Sequence, residues 1–161
     1  MATVTTLKSA AKGYKTRGAK PYFISNEVDM AAAVTAKGTA LASSDVIEAV
    51  TIPANTHVLS VAMKVTGAHA GTSSDTAFDL GVTGVDADLF VDGFDFDGAS
   101  LNDYAVATGN TYYTEASDTV DILIQAMTGT TTGGKLTVKA LLMEGDNEVT
   151  AADEVDRDTL A

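Results

Sequence analysis

The sequence predicts an all-β protein: an antiparallel β-sandwich, jelly-roll-like, with an extended basic N-terminal arm before it and an acidic C-terminal tail after it. Three observations carry this expectation. Apolar and polar side chains alternate in several short stretches, which is the period of a half-buried strand. Clusters of Gly, Asn, Asp and Ser punctuate those stretches as turns do. No segment shows a long amphipathic helical period. At 161 residues the chain is sized for one domain. The expected organisation is an arm over residues 1–20, a body over residues 21–143 and a tail over residues 144–161.

Taken in order, Pro21 to Ile24 is a short β-like run. Val28, Met30, Ala32 and Val34 alternate, which predicts a strand, although the Ala triplet and a possible Asn26 cap favour a helix. Val46 to Ile52 is a strand closed by the turn Pro53-Ala54-Asn55-Thr56. From His57 to Thr66, Leu59, Val61, Met63 and Val65 are expected on one face. Gly67 to Asp75 reads as a polar loop. Thr76 to Thr83 follows as a strand, with Phe78, Leu80 and Val82 inward and Asp79 outward.

Residues 84–104 are dense in Gly and Asp and predict a loop, with a helical turn near Asp86 to Val91. Tyr104 to Val106 and Thr111 to Thr114 are short strand candidates. In Thr119 to Met127, Val120, Ile122, Ile124 and Ala126 point inward. Residues 128–134 read as a hairpin-type loop into Lys135 to Met143, where Leu136, Val138, Ala140 and Leu142 point inward and Lys135, Thr137 and Lys139 outward.

The net charge is −12, and it is unevenly spread. The first twenty residues hold Lys8, Lys12, Lys15, Arg17 and Lys20 and no acid, leaving five basic residues against all 22 acids elsewhere. Such a segment reads as an arm reaching an acidic neighbour, whether a partner subunit, its own body or nucleic acid, or as a terminus with incidental charge. These five cations are the candidate partner-binding residues. The acidic balance of the whole argues against general nucleic-acid binding, so no direct nucleic-acid partner is expected. No apolar run is long enough for a membrane span, and none follows the arm's cations as in a secretory signal.

Residue types exclude much chemistry. The chain has no Cys, hence no disulfide, Cys-based zinc site or cysteine nucleophile. Its two histidines, His57 and His69, lack metal-binding spacing. The acidic run Asp86 to Gly98 invites a calcium reading, but the EF-hand spacing fails. With Gly98 at loop position 6, positions 1 and 12 are Gly93 and Tyr104; with Gly93 there, position 3 is Phe90. An acidic loop anchored by Phe90, Phe94 and Phe96 is the preferred reading. Ser43, Ser44, Ser73 and Ser74 have no GxSxG context, and Gly133-Gly134-Lys135 lacks Walker spacing. The chain has no Trp to line a sugar cleft. No enzyme activity, cofactor or metal is expected.

Three segments carry a resemblance: Asp45 to Leu59 with its Ile-Pro-Ala turn, Phe78 to Gly93, and Thr119 to Ile124 with Gly134 to Val138. Together they span roughly residues 45–143, and they resemble small virion structural proteins of tailed bacteriophages, in particular the capsid decoration (cement) proteins. The resemblance implies a non-enzymatic β-sandwich, a homotrimer on the outer capsid surface of the virion, bound to the major capsid protein and stabilising its lattice. The alternative is a head- or tail-fibre component, or a receptor- or carbohydrate-binding module. Arm and tail lie outside the resembling segments.

Overall fold

Each residue from Leu136 to Leu142 alternates between a buried and an outward position, and this strand organises one of the two sheets. The computed structural model describes residues 3–4, 21–107 and 109–145. Its elements are β1 (Thr3–Val4), β2 (Tyr22–Asp29), α1 (Met30–Lys37), β3 (Val46–Ile52), β4 (Thr56–Gly71), β5 (Ser74–Val82), β6 (Asp86–Asp95), β7 (Tyr104–Val106), β8 (Tyr112–Thr114), β9 (Asp118–Thr128) and β10 (Thr131–Glu144). Sheet I has the order β1-β3-β9-β5-β6; sheet II has the order β2-β10-β4-β7, with β8 also on β4. Every ladder is antiparallel except the short parallel pairing of Thr3–Val4 with Val46–Ile47.

The core forms between the sheets. Ile47, Val50, Phe78, Leu80, Ile122 and Ile124 come from sheet I; Val28, Val61, Met63, Val65, Leu136 and Val138 come from sheet II, all essentially without solvent contact. The all-β sandwich is therefore as the alternation predicts. Asn26 sits at an inward position of β2 and ties the layers together, its side-chain amide donating to the Ala49 carbonyl at 2.9 Å.

Five expectations need correction. Val28 to Val34 is not one strand: β2 ends at Asp29, whose carboxylate caps α1 by accepting the Ala31 N–H at 2.9 Å and the Ala32 N–H at 3.4 Å. The cap is Asp29 rather than Asn26, and Gly38 closes the helix in the left-handed conformation (φ 77°), its N–H donating to Val34 and Thr35. The period-two pattern misled because a short Ala-rich helix needs only two inward residues, Met30 and Ala33. Residues 86–95 are a strand, not a loop or helical turn. Edge strands tolerate charge, so acid density is no argument against pairing there.

Leu59 does not share the inward face of Val61. Leu141 pairs with Ser60 and Leu142 with Val58, so Leu59 is the extra residue of a β-bulge, and Val58 is buried instead. Finally, residues 128–134 do not close a hairpin within one sheet, because β9 belongs to sheet I and β10 to sheet II. The polar loop expected at 67–75 likewise shrinks to Thr72–Ser73 between β4 and β5.

The crossings β4–β5 and β9–β10 are neighbours. Residues 56–71 pair with β10 in sheet II, and residues 74–82 pair with β9 in sheet I. One two-stranded ribbon thus bends from sheet to sheet at Thr72–Ser73 and Gly129–Thr130. At the bend the Thr72 N–H donates to the Thr130 carbonyl at 2.8 Å.

Candidate interaction surfaces

Lys8, Lys12, Lys15, Arg17 and Lys20 lie outside the described residues, as does the tail beyond Gly145. Thr3–Val4, ahead of these cations, adds to the β3 edge of the chain's own body.

The acidic run builds turns and ladders. The Asp95 carboxylate accepts the Gly98 N–H at 2.9 Å, Asp97 accepts the Thr76 N–H at 2.5 Å and Asp103 accepts the Ser100 N–H at 2.8 Å. Asp79 points off the core face yet is only 4% exposed, accepting the Gly93 N–H at 2.8 Å. Burial pushes its carboxyl above the ordinary range, against that hydrogen bond, with Asp92 and Asp88 adding to the rise. Phe90 and Phe96 are buried, and Phe96 stacks on Phe78 with centroids 5.0 Å apart. Among the described residues no three His, Asp or Glu groups converge as a metal site, and no helix is long and apolar enough to cross a membrane.

The two histidines serve different places. His69 Nε2 lies 2.7 Å from Ser73 Oγ and 3.2 Å from Thr131 Oγ1, and its ring meets Phe96 edge-on. Thr76 donates to Ser73 Oγ at 3.0 Å. This hydroxyl cluster sits where the ribbon bends and satisfies the polar groups that the bend buries. His57 lies on the outer face of sheet II, its ring 4.5 Å from that of Tyr113.

On sheet I, Asp121 faces Glu48 across the β9/β3 ladder. Asp121 is 4% exposed; one carboxylate oxygen accepts the Thr83 N–H at 3.1 Å, while the other is buried without a hydrogen bond. Burial pushes this carboxyl above 3.8, the Glu48 charge adds to the rise, and donors on Thr83 and Thr119 oppose it. A carboxyl raised in the folded state binds its proton more tightly there than in the unfolded chain. It therefore lowers stability as pH rises from the unfolded value through the folded one, and has no effect below both. Asp121→Asn should accordingly raise the melting temperature at neutral pH, with the gain shrinking as pH falls toward about 4. Thermal melts across that range check this; a variant less stable at neutral pH would show that the carboxylate is well accommodated.

Sheet II presents a different outer surface. Leu136, Val138, Ala140 and Leu142 are buried, so Lys135, Thr137, Lys139, Leu141 and Met143 of β10 face outward. Register extends each across the sheet. Lys139 lies between Ser25 and Ala62, and Ala62 beside Val106; Thr137 lies between Glu27 and Lys64, and Lys64 beside Tyr104. Leu141 lies between Phe23 and Ser60, and Met143 beside His57, itself beside Tyr113. Lys135 bonds Glu27 at 3.0 Å and lies 3.5 Å from Asp29. The outward positions of Lys135 and Lys139 were legible from alternation. The aromatic residues beside them were not, because β2, β7 and β8 are brought to β10 and β4 only by the topology.

No protein-family model and no curated protein sequence matches this chain. Solved structures that share its fold include chains of three phage capsids. A chain in the capsid of Ralstonia phage GP4 matches with TM-score 0.56 at 13% identity, covering 90% of this chain and 99% of that one. A chain of the cyanophage Pam1 capsid asymmetric unit matches with TM-score 0.55 at 16% identity, covering 84% and 91%. A chain in the acidic stable capsid structure of Helicobacter pylori bacteriophage KHP30 matches with TM-score 0.53 at 15% identity, covering 76% and 86%. The sandwich described above is thus similar, over most of its length, to folds found in the capsids of three phages.

Proposed function

We propose that this chain is a non-enzymatic virion structural protein of a tailed phage that binds the outer capsid surface, as a trimer on the major capsid protein, and cements or decorates the lattice. The observation that carries this reading is the fold likeness to the GP4 capsid chain, which spans nearly the whole of both chains. A small rigid sandwich suits repeated attachment, where many lattice points give avidity and each contact can be modest. Strand order supports the jelly-roll form. From β2 onward, every connection except β5–β6 and β7–β8 passes from one sheet to the other, which is how two Greek keys wrap into a double-sheet roll.

Copy number in purified virions tests the assignment. Hundreds of copies, seen as density over the capsid lattice by cryo-electron microscopy, are expected; a few copies at the tail would favour a fibre or receptor-binding component and overturn it.

The basic arm is the proposed attachment segment. A chain lacking residues 2–20 should keep a folded body but occupy particles less, with the loss sharpest at moderate salt, where screened contacts no longer compensate. Occupancy measured on decorated particles reads this out, and unchanged occupancy would remove the arm from the attachment.

A further inference from the structure

The charge and the exposed apolar groups of the body are segregated in a way that its fold does not require. Of its described lysines, Lys64, Lys135 and Lys139 all lie on the outer face of sheet II; the remaining one, Lys37, is held by Asp45. Strands β3, β5, β6 and β9 of sheet I carry no Lys or Arg at all. Four of the six exposed large apolar side chains among the described residues are segregated too, Val85 and Leu101 being the others. Phe23 is 75% exposed, Tyr104 70%, Val106 45% and Tyr113 43%, and all four lie on the sheet II face among those lysines. Isolated exposed hydrophobes are ordinary, but four brought by three different strands onto one lysine-bearing face form a patch of the kind that marks a protein interface.

The complementary surface is on the same molecule. Strand β6 ends sheet I and exposes Asp86, Asp88, Asp92 and Asp95 beside Val85, itself 63% exposed. No cation relieves the crowding there: the hydrogen bond and charge of Asp88 raise the Asp86 carboxyl above its ordinary value, opposed only by a backbone hydrogen bond from Asp88. Lys64 and Lys139 make no ion pair with any described residue. An acidic edge by itself protects a sheet from strand addition, which accounts for the aspartates but not for the aromatic lysine face.

We propose that the outer face of sheet II is the surface on which a second copy of this chain docks, with Lys64 and Lys139 received by the acidic β6 edge of that copy. Face and edge are different surfaces, so the contact is head-to-tail, and it closes into a ring where the rotation allows. This deepens the self-assembly in the function proposed above. Its test uses the isolated full chain without capsid, so failure here leaves attachment to a virion standing, and failure to find the chain on virions leaves self-association standing.

Sedimentation of the wild-type chain over a concentration series should show reversible association that weakens with salt. Lys64→Glu with Lys139→Glu should weaken it on the order of 10-fold or more, as should Asp88→Lys with Asp92→Lys; combining all four should restore it. These positions are exposed or outward-facing, and melting temperatures confirm that the variants fold. The absence of Cys gives a second readout. A Lys139→Cys chain mixed with an Asp88→Cys chain should form the mixed disulfide in preference to either like pair. A monomeric wild type, association indifferent to the lysine changes, failure of the combined charge exchange, or cross-linking only between like chains would each overturn the proposal. Capsid binding lost with the lysine changes in a monomeric chain would assign the face to the capsid protein instead.

Discussion

Replacing Ile122 by Ala will destabilise the isolated protein by about 2–5 kcal/mol, the range for emptying a well-packed site. Ile122 has no solvent contact and lies mid-strand, paired with Ile47 on one side and Leu80 on the other. Both neighbours belong to paired strands, so the backbone around the void has little freedom to collapse. The loss is a large share of the ~5–15 kcal/mol that holds a typical domain together. Lys139→Ala, on the outer face, will cost under ~0.5 kcal/mol when measured on dilute, dissociated protein. Denaturant melts of the two variants give the comparison, and equal destabilisation would contradict the assigned strand faces.

Gly81→Ala will be nearly as damaging, by the opposite mechanism. A Cβ at Gly81 would lie 2.3 Å from the Asp86 carbonyl oxygen and 2.4 Å from the Ala87 carbonyl carbon. Those are backbone atoms of β6, which no rotamer change can move aside. Strand β6 must separate from β5 at this end, at a cost expected at or above the top of the ~1–3 kcal/mol typical of overpacking. Hydrogen exchange of the β5/β6 amides should accelerate in the variant, and a melting temperature within a degree or so of the wild type would show that the two strands are less closely apposed.

The pattern of success in reading the sequence has a physical cause. Alternation identified β5, β9 and β10 because the core-facing side chains of each recur with period two. It assigned Ile122, Ile124, Val138 and Ala140 to the core correctly. It paired their strands wrongly, because alternation tells which way a side chain points and not which strand lies alongside. Strand β6 was hidden by its aspartates, and Leu59 was misassigned because a bulge resets the alternation in mid-strand. The interaction surface was legible only in part. Lys135 and Lys139 could be placed outward, but Phe23, Tyr104 and Tyr113 join them through non-local pairing that no local pattern encodes.

The position of β10 between β2 and β4 also dictates an order of events during synthesis. Phe23 and Leu141 are partners across the ladder although more than a hundred residues separate them. While the ribosome is still making β4 to β9, β2 has no strand beside it in its own sheet, and one edge of β4 stands open. The nascent chain must keep both edges unpaired, and protected from neighbouring chains, until β10 emerges. Contacts of such long sequence separation close slowly, so sheet II is completed late, by insertion of β10 between β2 and β4, rather than growing strand by strand from its N-terminal end.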